Sequence, residues 1–249
     1  MIISHRHRFI FVKSRKTGGT SVEIGLSNFV GPNDVVTPIT PRDELIRLRS
    51  GTSCRNFAND PKTEKRYLEE LSDGPVSALP SYVVKDQKFV NHMPLSEILS
   101  IFGKSVDGYK IISLERHPYE KAVSLSNFLL GYRTYIAGGA LQASVEDMKA
   151  HIDELITSGK MREKIRNWDL YTVEGRYQVD FMLQHASLQD DFSMLLSQLG
   201  LPAMDDRLPI TKLGTRDRTV SARDLLSLNQ RSAIQEICAE EFEFFKYEI

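Results

Sequence analysis

The segment Phe9–Glu23 places a short apolar run, a cationic turn with two glycines and an apolar-periodic run in direct succession. The four apolar residues Phe9–Val12 are too few for a helix and favour β-structure, so they predict a buried strand. The periodic run that begins at Val22 predicts a helix. The first backbone N–H groups of a helix have no intrahelical partner, and the helix dipole is positive at that end. The segment therefore predicts a phosphate-binding loop between the first strand and the first helix.

Each residue type in this loop suits an anion. Gly18 and Gly19 let the backbone approach a phosphate closely, and Lys16 supplies a point charge. The candidate binding residues are Lys13, Arg15, Lys16, Thr17, Gly18, Gly19, Thr20 and Ser21. The order differs from a Walker A loop, because there the lysine follows the glycines instead of preceding them. A basic turn that only caps a helix is the alternative to a functional loop.

Length and charge restrict the class of protein. The 249 residues fit one α/β domain, 1–249, in which the proline-punctuated stretch 31–81 is predicted to be an insertion packed over the core. The 32 Lys and Arg residues nearly balance the 33 Asp and Glu residues, which argues against a nucleic-acid-binding protein. Positive charge is nevertheless concentrated around the first strand and its loop, where it would attract a small anionic ligand.

Cysteine usage and hydropathy indicate the compartment. Cys54 and Cys238 lack the spacing of a metal site and are expected to be reduced thiols. No apolar run reaches the ~20 residues of a membrane span, and the N-terminus lacks the pattern of a secretory signal. We therefore expect a cytoplasmic protein without a membrane span.

A second strand and helix carry another pair of phosphate-compatible groups. The run Tyr109–Glu115 predicts a core strand, and Pro118 suits the first position of a helix over Tyr119–Leu130. Arg116 lies at the end of the strand, and Ser124 follows eight positions later in the first turns of the helix. A guanidinium at a strand end can bind phosphate through two parallel hydrogen bonds.

Together the two stretches resemble sulfotransferases that use 3′-phosphoadenosine 5′-phosphosulfate (PAPS). Lys16–Ser21, Lys-Thr-Gly-Gly-Thr-Ser, is similar to the 5′-phosphosulfate loop of carbohydrate sulfotransferases such as the heparan sulfate 2-O-sulfotransferases. Arg116–Ser124 is similar to the family's Arg-Asp-Pro-x-x-Arg-x-x-Ser, in which the first Arg and the Ser bind the 3′-phosphate. The resemblance implies this role for Arg116 and Ser124. His117 and Lys121 depart from the pattern, in place of Asp and Arg.

The resemblance also implies a general base. The run Lys88–His92 predicts a short strand that ends in a histidine, and ligands of α/β sheets bind at the carboxyl ends of strands. Related carbohydrate sulfotransferases have a catalytic histidine after their second core strand. His92 matches that position, with Asn91 in place of a glycine, so His92 is the candidate base and Lys16 the candidate group that stabilises the leaving phosphate.

The remaining segments are less specific. The expected elements are helices at Arg42–Arg49 and Lys62–Leu71, a helix capped by Ser144 and Asp147, a strand at Tyr177–Leu183, a helix capped by Ser187 and Asp190, and one final helix from Ser221. Gly131–Leu141 is expected to be a loop or a loosened helix end. The cationic run Lys160–Arg166 is either a solvated helix face or a contact for an acidic acceptor. His185 receives no role, and Lys212, Arg216 and Arg218 are weaker candidates for nucleotide contact.

These patterns predict a P-loop-like or Rossmann-like three-layer α/β domain with a central, mostly parallel sheet flanked by helices. The resemblance implies a sulfotransferase with PAPS as donor substrate and adenosine 3′,5′-bisphosphate (PAP) as product. The acceptor would be a hydroxyl, with carbohydrate favoured and a lipid or small metabolite still open. No metal is required by this chemistry. Two alternatives remain, a nucleotide-dependent kinase or phosphotransferase with the same loop, and a catalytically inactive nucleotide-binding protein.

Overall fold

The computed structural model describes residues 1–73, 86–136, 144–204, 207–209, 211 and 221–249. Its strands are β1 Ile2–Ser4, β2 Phe9–Phe11, β3 Val35–Val36, β4 Lys110–Glu115, β5 Thr172–Val173, β6 Arg176–Tyr177 and β7 Phe181–Gln184. Its helices are α1 Gly19–Ser27, α2 Pro41–Arg49, α3 Pro61–Asp73, α4 Leu95–Phe102, α5 Pro118–Ile136, α6 Val145–Thr157, α7 Lys160–Ile165, α8 Trp168–Tyr171, α9 Leu188–Gln198, α10 Ala222–Leu225, α11 Leu228–Ile237 and α12 Ala239–Phe245. Short 3₁₀ helices occupy Gly103–Val106 and His185–Ser187.

The chain divides into two units. The first contains Met1–Ser14, Gly18–Glu115 and Leu170–Thr211, and the second contains Arg15–Thr17, Arg116–Asp169 and Lys212–Ile249. Within the described residues, the first unit holds a five-stranded sheet in the order β3-β1-β2-β4-β7. β2, β4 and β7 are parallel, whereas β1 pairs antiparallel with β2 and β3 pairs antiparallel with β1. The expected α/β class is confirmed, and the sheet is mixed, with its parallel strands at the centre.

Strand register determines which residues meet at the carboxyl edge of the parallel strands. Phe11 lies opposite Ile112, and Glu115 lies opposite Gln184. Beyond β2 the chain stays beside β4, because the Val12 amide donates to the Ile112 carbonyl at 2.8 Å. The carboxyl ends of β2, β4 and β7 therefore lie at one edge of the sheet, where α/β sheets bind ligands.

Each unit has its own apolar core. In the first unit, side chains of the sheet pack against Val22 and Leu26 of α1 and against Phe192, Leu195 and Leu196 of α9. Gly25 allows this approach, because a Cβ there would lie 2.6 Å from Leu208 and 2.8 Å from Phe192. In the second unit, α5 packs with α6, α7, α10 and α11. In the described part of the chain, no helix combines the length and hydropathy that a membrane span requires.

Several predicted elements are confirmed. β2, β4 and the helix after each of them have the expected places, and α5 begins at Pro118. α2 and α3 each begin at a proline, one residue before the predicted helices of the 31–81 stretch, and β3 from that stretch joins the sheet as an edge strand. The Ser144 hydroxyl accepts from the Asp147 amide at 3.0 Å, which is the predicted cap of α6. Cys54 and Cys238 are buried free thiols.

The predicted strand at Lys88–His92 is wrong. The Lys88 and Phe89 amides both donate to the Phe57 carbonyl, at 2.8 and 2.9 Å, and the chain then turns at Asn91 and His92. Side-chain hydrogen bonds of Asn91 hold this turn, because its Oδ1 accepts from the Thr37 hydroxyl at 2.9 Å. Hydrogen bonds to the Asn91 side chain thus hold this segment in a turn, in place of the backbone pairing of a strand.

Other boundaries also differ from the predictions. The strand predicted at Tyr177–Leu183 is split, because positive φ at Glu174 and Gly175 closes a β5–β6 hairpin that ends with Tyr177. Ser187 makes no capping bond to α9. α5 continues to Ile136, so the described part of the segment Gly131–Leu141, which was expected to be a loop or a loosened helix end, is helical. The single final helix is three helices, because Ser227 and Gln230 form a capping box that starts α11.

Candidate active site

The start of α1 has the geometry of an anion-binding helix end. Gly18 has φ +91° and precedes Gly19, the first residue of the helix. No side chain caps the helix at Gly18, and its first turn carries no acidic residue. Positive potential from the first N–H groups is therefore not cancelled locally. Thr20 and Ser21 are almost buried, and the Ser21 hydroxyl lies 3.2 Å from that of Thr211.

Lys13 is directed into the core. Its ammonium lies 2.6 Å from Oε2 of Glu23, and both side chains are almost fully buried. Arg47 Nη2 also lies 3.2 Å from Glu23. Burial alone would raise the pKa of Glu23, but Lys13, the amino group of Met1 and Arg47 hold it well below its usual range. The structure thus gives Lys13 a buried carboxylate partner, and its stem lies beneath Gly19, where a Cβ would meet Lys13 Cγ at 3.0 Å.

His92 contacts the backbone of the segment that follows β2. Its Nδ1 is 2.8 Å from the Lys13 carbonyl oxygen. A carbonyl only accepts, so Nδ1 carries the proton, and in the neutral ring Nε2 carries the lone pair. His92 has φ +61° and is half-buried. This arrangement fixes the tautomer and orients the ring, as an imidazole that acts as a base requires.

His185 also contacts the loop, although no role was predicted for it. It follows β7, and a Cβ on Gly18 would lie 3.2 Å from its Cδ2 and 3.8 Å from its Nε2. Gly18 therefore satisfies two requirements, a left-handed backbone and room for an imidazole. The place of His185 directly after a core strand was the available signal.

In the second unit, Asn167 holds the loop residue Arg15. Its Oδ1 accepts from the Arg15 amide at 2.9 Å, and its Nδ2 donates to the Arg15 carbonyl at 3.0 Å. Asn167 is fully buried, and its own amide donates to Glu241 at 2.8 Å. The side-chain amide thus pairs with both backbone groups of Arg15, as a neighbouring strand would, and these two hydrogen bonds fix the loop backbone at Arg15. Burial lowers the pKa of the Arg15 guanidinium, against the opposing effect of Glu163 and Asp169.

Lys16 and the segment Arg116–Ser124, hereafter the second motif, meet on one face of α5. The Lys16 ammonium lies 4.2 Å from the centroid of the Phe128 ring. Residues four apart on a helix are neighbours, so Glu120, Ser124 and Phe128 occupy successive turns of one face. Nη2 of Arg116 lies 2.7 Å from Oε2 of Glu120, which places Arg116 at the start of the same face. The structure therefore brings Lys16, Ser124 and Arg116 to one side of α5.

The two departures from the sulfotransferase pattern have structural explanations. His117 Nδ1 accepts from the Tyr119 amide at 3.2 Å, as an N-capping carboxylate would, while Nε2 donates to the Glu248 carbonyl at 2.9 Å. Burial lowers the pKa of His117, which favours this neutral ring. Lys121 is fully buried, 3.8 Å from Glu241. His117 thus caps the start of α5, and Lys121 forms a buried ion pair between α5 and α12.

The cationic run Lys160–Arg166 is engaged in ion pairs where contacts are described. Arg166 binds Asp169 and, at 2.7 Å, Glu240. Lys164 lies 2.6 Å from Glu163. The Arg166–Glu240 contact raises the pKa of Arg166 and lowers that of Glu240. Lys212, Arg216 and Arg218 lie outside the described residues.

Searches against protein-family models, curated proteins and solved structures found no match to this chain. The proposed function consequently depends on the residues and on their geometry.

Proposed function

We propose that this protein is a PAPS-dependent sulfotransferase with a P-loop-like α/β fold. The 5′-phosphosulfate would bind Lys16 and the start of α1, through the segment Thr17–Ser21, and the 3′-phosphate would bind Arg116 and Ser124. The donor would supply the sulfuryl group, and the acceptor would be a hydroxyl, with carbohydrate as the favoured class because of the sequence resemblance.

The observation that carries the proposal is the position of Lys16 relative to the second motif. Lys16 is more than a hundred positions from Phe128 in the sequence, yet its ammonium lies over that ring, one turn beyond Ser124. Lys16 would contact the 5′ end of the donor, and Ser124 its 3′ end. A ligand that carries both phosphates on one nucleoside requires such proximity, whereas a mononucleotide does not.

The chemistry follows from the groups named above. The oxygen of the acceptor hydroxyl attacks sulfur, its proton moves to Nε2 of His92, and the bond between sulfur and the 5′-phosphate oxygen breaks. Negative charge develops on the departing phosphate oxygen of PAP. Lys16 and the backbone N–H groups at the start of α1 stabilise this charge, and one such donor typically lowers a barrier by ~3–4 kcal/mol. His92 is held in the required tautomer by the Lys13 carbonyl.

Thermal shift with three nucleotides tests the donor site. A bound ligand raises the unfolding temperature by mass action, so PAP should stabilise the protein more than AMP or ATP at equal concentration. PAP release from PAPS, measured with a panel of acidic oligosaccharides as acceptors, tests the reaction. Equal stabilisation by AMP and PAP would contradict the 3′-phosphate site. Magnesium-dependent ATP consumption would instead support a kinase.

A further inference from the structure

The pair Arg116–Glu120 is unusual for a phosphate site. Glu120 lies in the first turn of α5, where the helix dipole favours a carboxylate, and its Oε2 is 2.7 Å from Arg116 Nη2. The side chains are 18% and 31% exposed for Arg116 and Glu120, so a ligand can reach both. The pair is part-buried, and ion pairs between residues four apart at a helix start contribute modestly to stability.

A carboxylate beside a phosphate-binding guanidinium weakens phosphate binding, because it repels the incoming dianion. The repulsion is offset if the ligand offers a hydroxyl next to its phosphate. The hydroxyl then donates to the carboxylate, while the phosphate accepts from the guanidinium. A guanidinium has five N–H donors, so the contact with Glu120 and a contact with phosphate are compatible.

A ribose that carries a 3′-phosphate presents this combination, with the 2′-hydroxyl on the adjacent carbon. We propose that Glu120 is a specificity-determining residue that accepts a hydrogen bond from the ribose 2′-hydroxyl of the ligand whose 3′-phosphate binds Arg116. Glu120 thereby favours 3′-phosphorylated ribonucleotides with an unmodified 2′-hydroxyl over 2′-deoxy and 2′-phosphorylated compounds. This inference rests on the proposed function and deepens it.

The proposal predicts discrimination against 2′-deoxyribose. Without the 2′-hydroxyl, the carboxylate keeps its repulsion of the phosphate and loses its compensating donor. Loss of one hydrogen bond to a charged group typically lowers the affinity of a ligand by roughly ten- to a hundredfold. A 2′-phosphate would be rejected more strongly, because it places a second anion against Glu120.

Calorimetric titration of the full chain tests the proposal with PAP, 2′-deoxyadenosine 3′,5′-bisphosphate and AMP. The variants are Glu120→Ala and the matched control Glu146→Ala, which removes an exposed carboxylate from the first turn of α6. The wild type and Glu146→Ala should bind PAP about ten- to a hundredfold more tightly than the deoxy compound. Glu120→Ala should bind the two bisphosphates with nearly equal affinity. Unfolding temperatures without ligand verify that each variant is folded.

Three outcomes would overturn the assignment of Glu120. Equal affinity of the wild type for both bisphosphates, each bound more tightly than AMP, would refute it and leave the sulfotransferase proposal intact. An unchanged ratio in Glu120→Ala would mean that another group recognises the 2′-hydroxyl. An equal change in affinity for both bisphosphates would mean that Glu120 does not contact the 2′-hydroxyl. It would then only compete with the phosphate for Arg116 or hold Arg116 in position. If the wild type binds neither bisphosphate more tightly than AMP, the 3′-phosphate site and the proposed function fail with it.

Discussion

The Lys16 ammonium lies 4.2 Å from the centroid of the Phe128 ring, in a cation–π contact on the face of α5 that also carries Ser124. This contact holds the side chain of a loop lysine against the helix of the second motif. It gives the Lys16 ammonium a defined position beside the helix turn that carries Ser124. A preorganised cation is what a developing phosphate charge requires.

Replacing Lys16 by Met should abolish most of the turnover. The methionine keeps much of the side-chain length but removes the charge, so we expect kcat for PAP release to fall by ~10²- to 10³-fold. The unfolding temperature should change little. Lys88→Met is the matched control, because Lys88 also lies over a phenylalanine ring, Phe89, at 5.3 Å. Equal loss in both variants would show that the effect is not specific to the loop.

Arg116→Ala should weaken nucleotide binding selectively. We expect the Kd of PAP to rise by roughly ten- to a hundredfold, because the proposed charged hydrogen bonds to the 3′-phosphate would be lost. The Kd of AMP should stay unchanged, since AMP lacks that phosphate. Calorimetric titration measures both constants, and Arg223→Ala provides a control with an exposed arginine in the same unit. Weaker binding of AMP as well would place Arg116 elsewhere in the site.

His92→Asn separates base catalysis from structure. Asparagine tolerates the positive φ of +61° and has an amide that can donate to the Lys13 carbonyl, but it offers no basic nitrogen. We expect kcat to fall by ~10²-fold or more, while the Kd of PAP and the unfolding temperature change little. Comparison of steady-state rates with titration data tests this. Near-normal turnover would remove His92 from the role of base.

Gly18→Ala should damage the loop more than Gly51→Ala. Both glycines have positive φ, +91° and +78°, so each substitution costs ~1–2 kcal/mol in backbone strain. Only at Gly18 does the new Cβ also meet His185, at 3.2 Å, whereas Gly51 has nothing within 4 Å. We expect weaker PAP binding in Gly18→Ala alone. The double variant with His185→Ala should recover part of the lost stability, as measured by urea unfolding, if the imidazole is the obstacle.

Glu23→Gln should destabilise the first unit by ~3–5 kcal/mol, because Lys13 and Arg47 would lose a buried partner charge. The folded-state pKa of Glu23 is lowered, so its stabilising contribution is present above the ordinary value of 4.5 and is lost as the pH falls below it. The difference in unfolding free energy between wild type and Glu23→Gln should therefore shrink in acid. Urea unfolding between pH 7 and pH 3 measures it, and a difference that grows in acid would contradict this account.

Local patterns predicted much of the fold. Apolar runs predicted β2, β4 and α1, and Pro118 together with an apolar face predicted α5. These signals are local, because they depend on residues only a few positions apart. The same reasoning failed at Lys88–His92 and Tyr177–Leu183, where side-chain hydrogen bonds of Asn91 and a hairpin turn at Gly175 outweighed strand propensity. The break before α11 was recognisable, because Ser227 and Gln230 have the spacing of a capping box.

The candidate site was predictable only in part. Lys13 was expected to contact the ligand, but its ion pair with Glu23 depends on a fold that brings a helix residue under the loop. Glu120 and Phe128 carry no motif, and their contacts with Arg116 and Lys16 are visible only in three dimensions. His185 lacked any family pattern, and its position beside Gly18 follows from the pairing of β7 with β4.

The sequence by itself determined the strand–loop–helix segment, the second strand with its helix and the chemical groups that each presents, since these depend on neighbours a few positions apart. Tertiary structure alone decided which of those groups share a helix face and which are neutralised in the core. The reason is physical: ion pairs, ring contacts and hydrogen bonds fall off within a few ångströms, and only the packed chain fixes distances between residues that are remote in sequence.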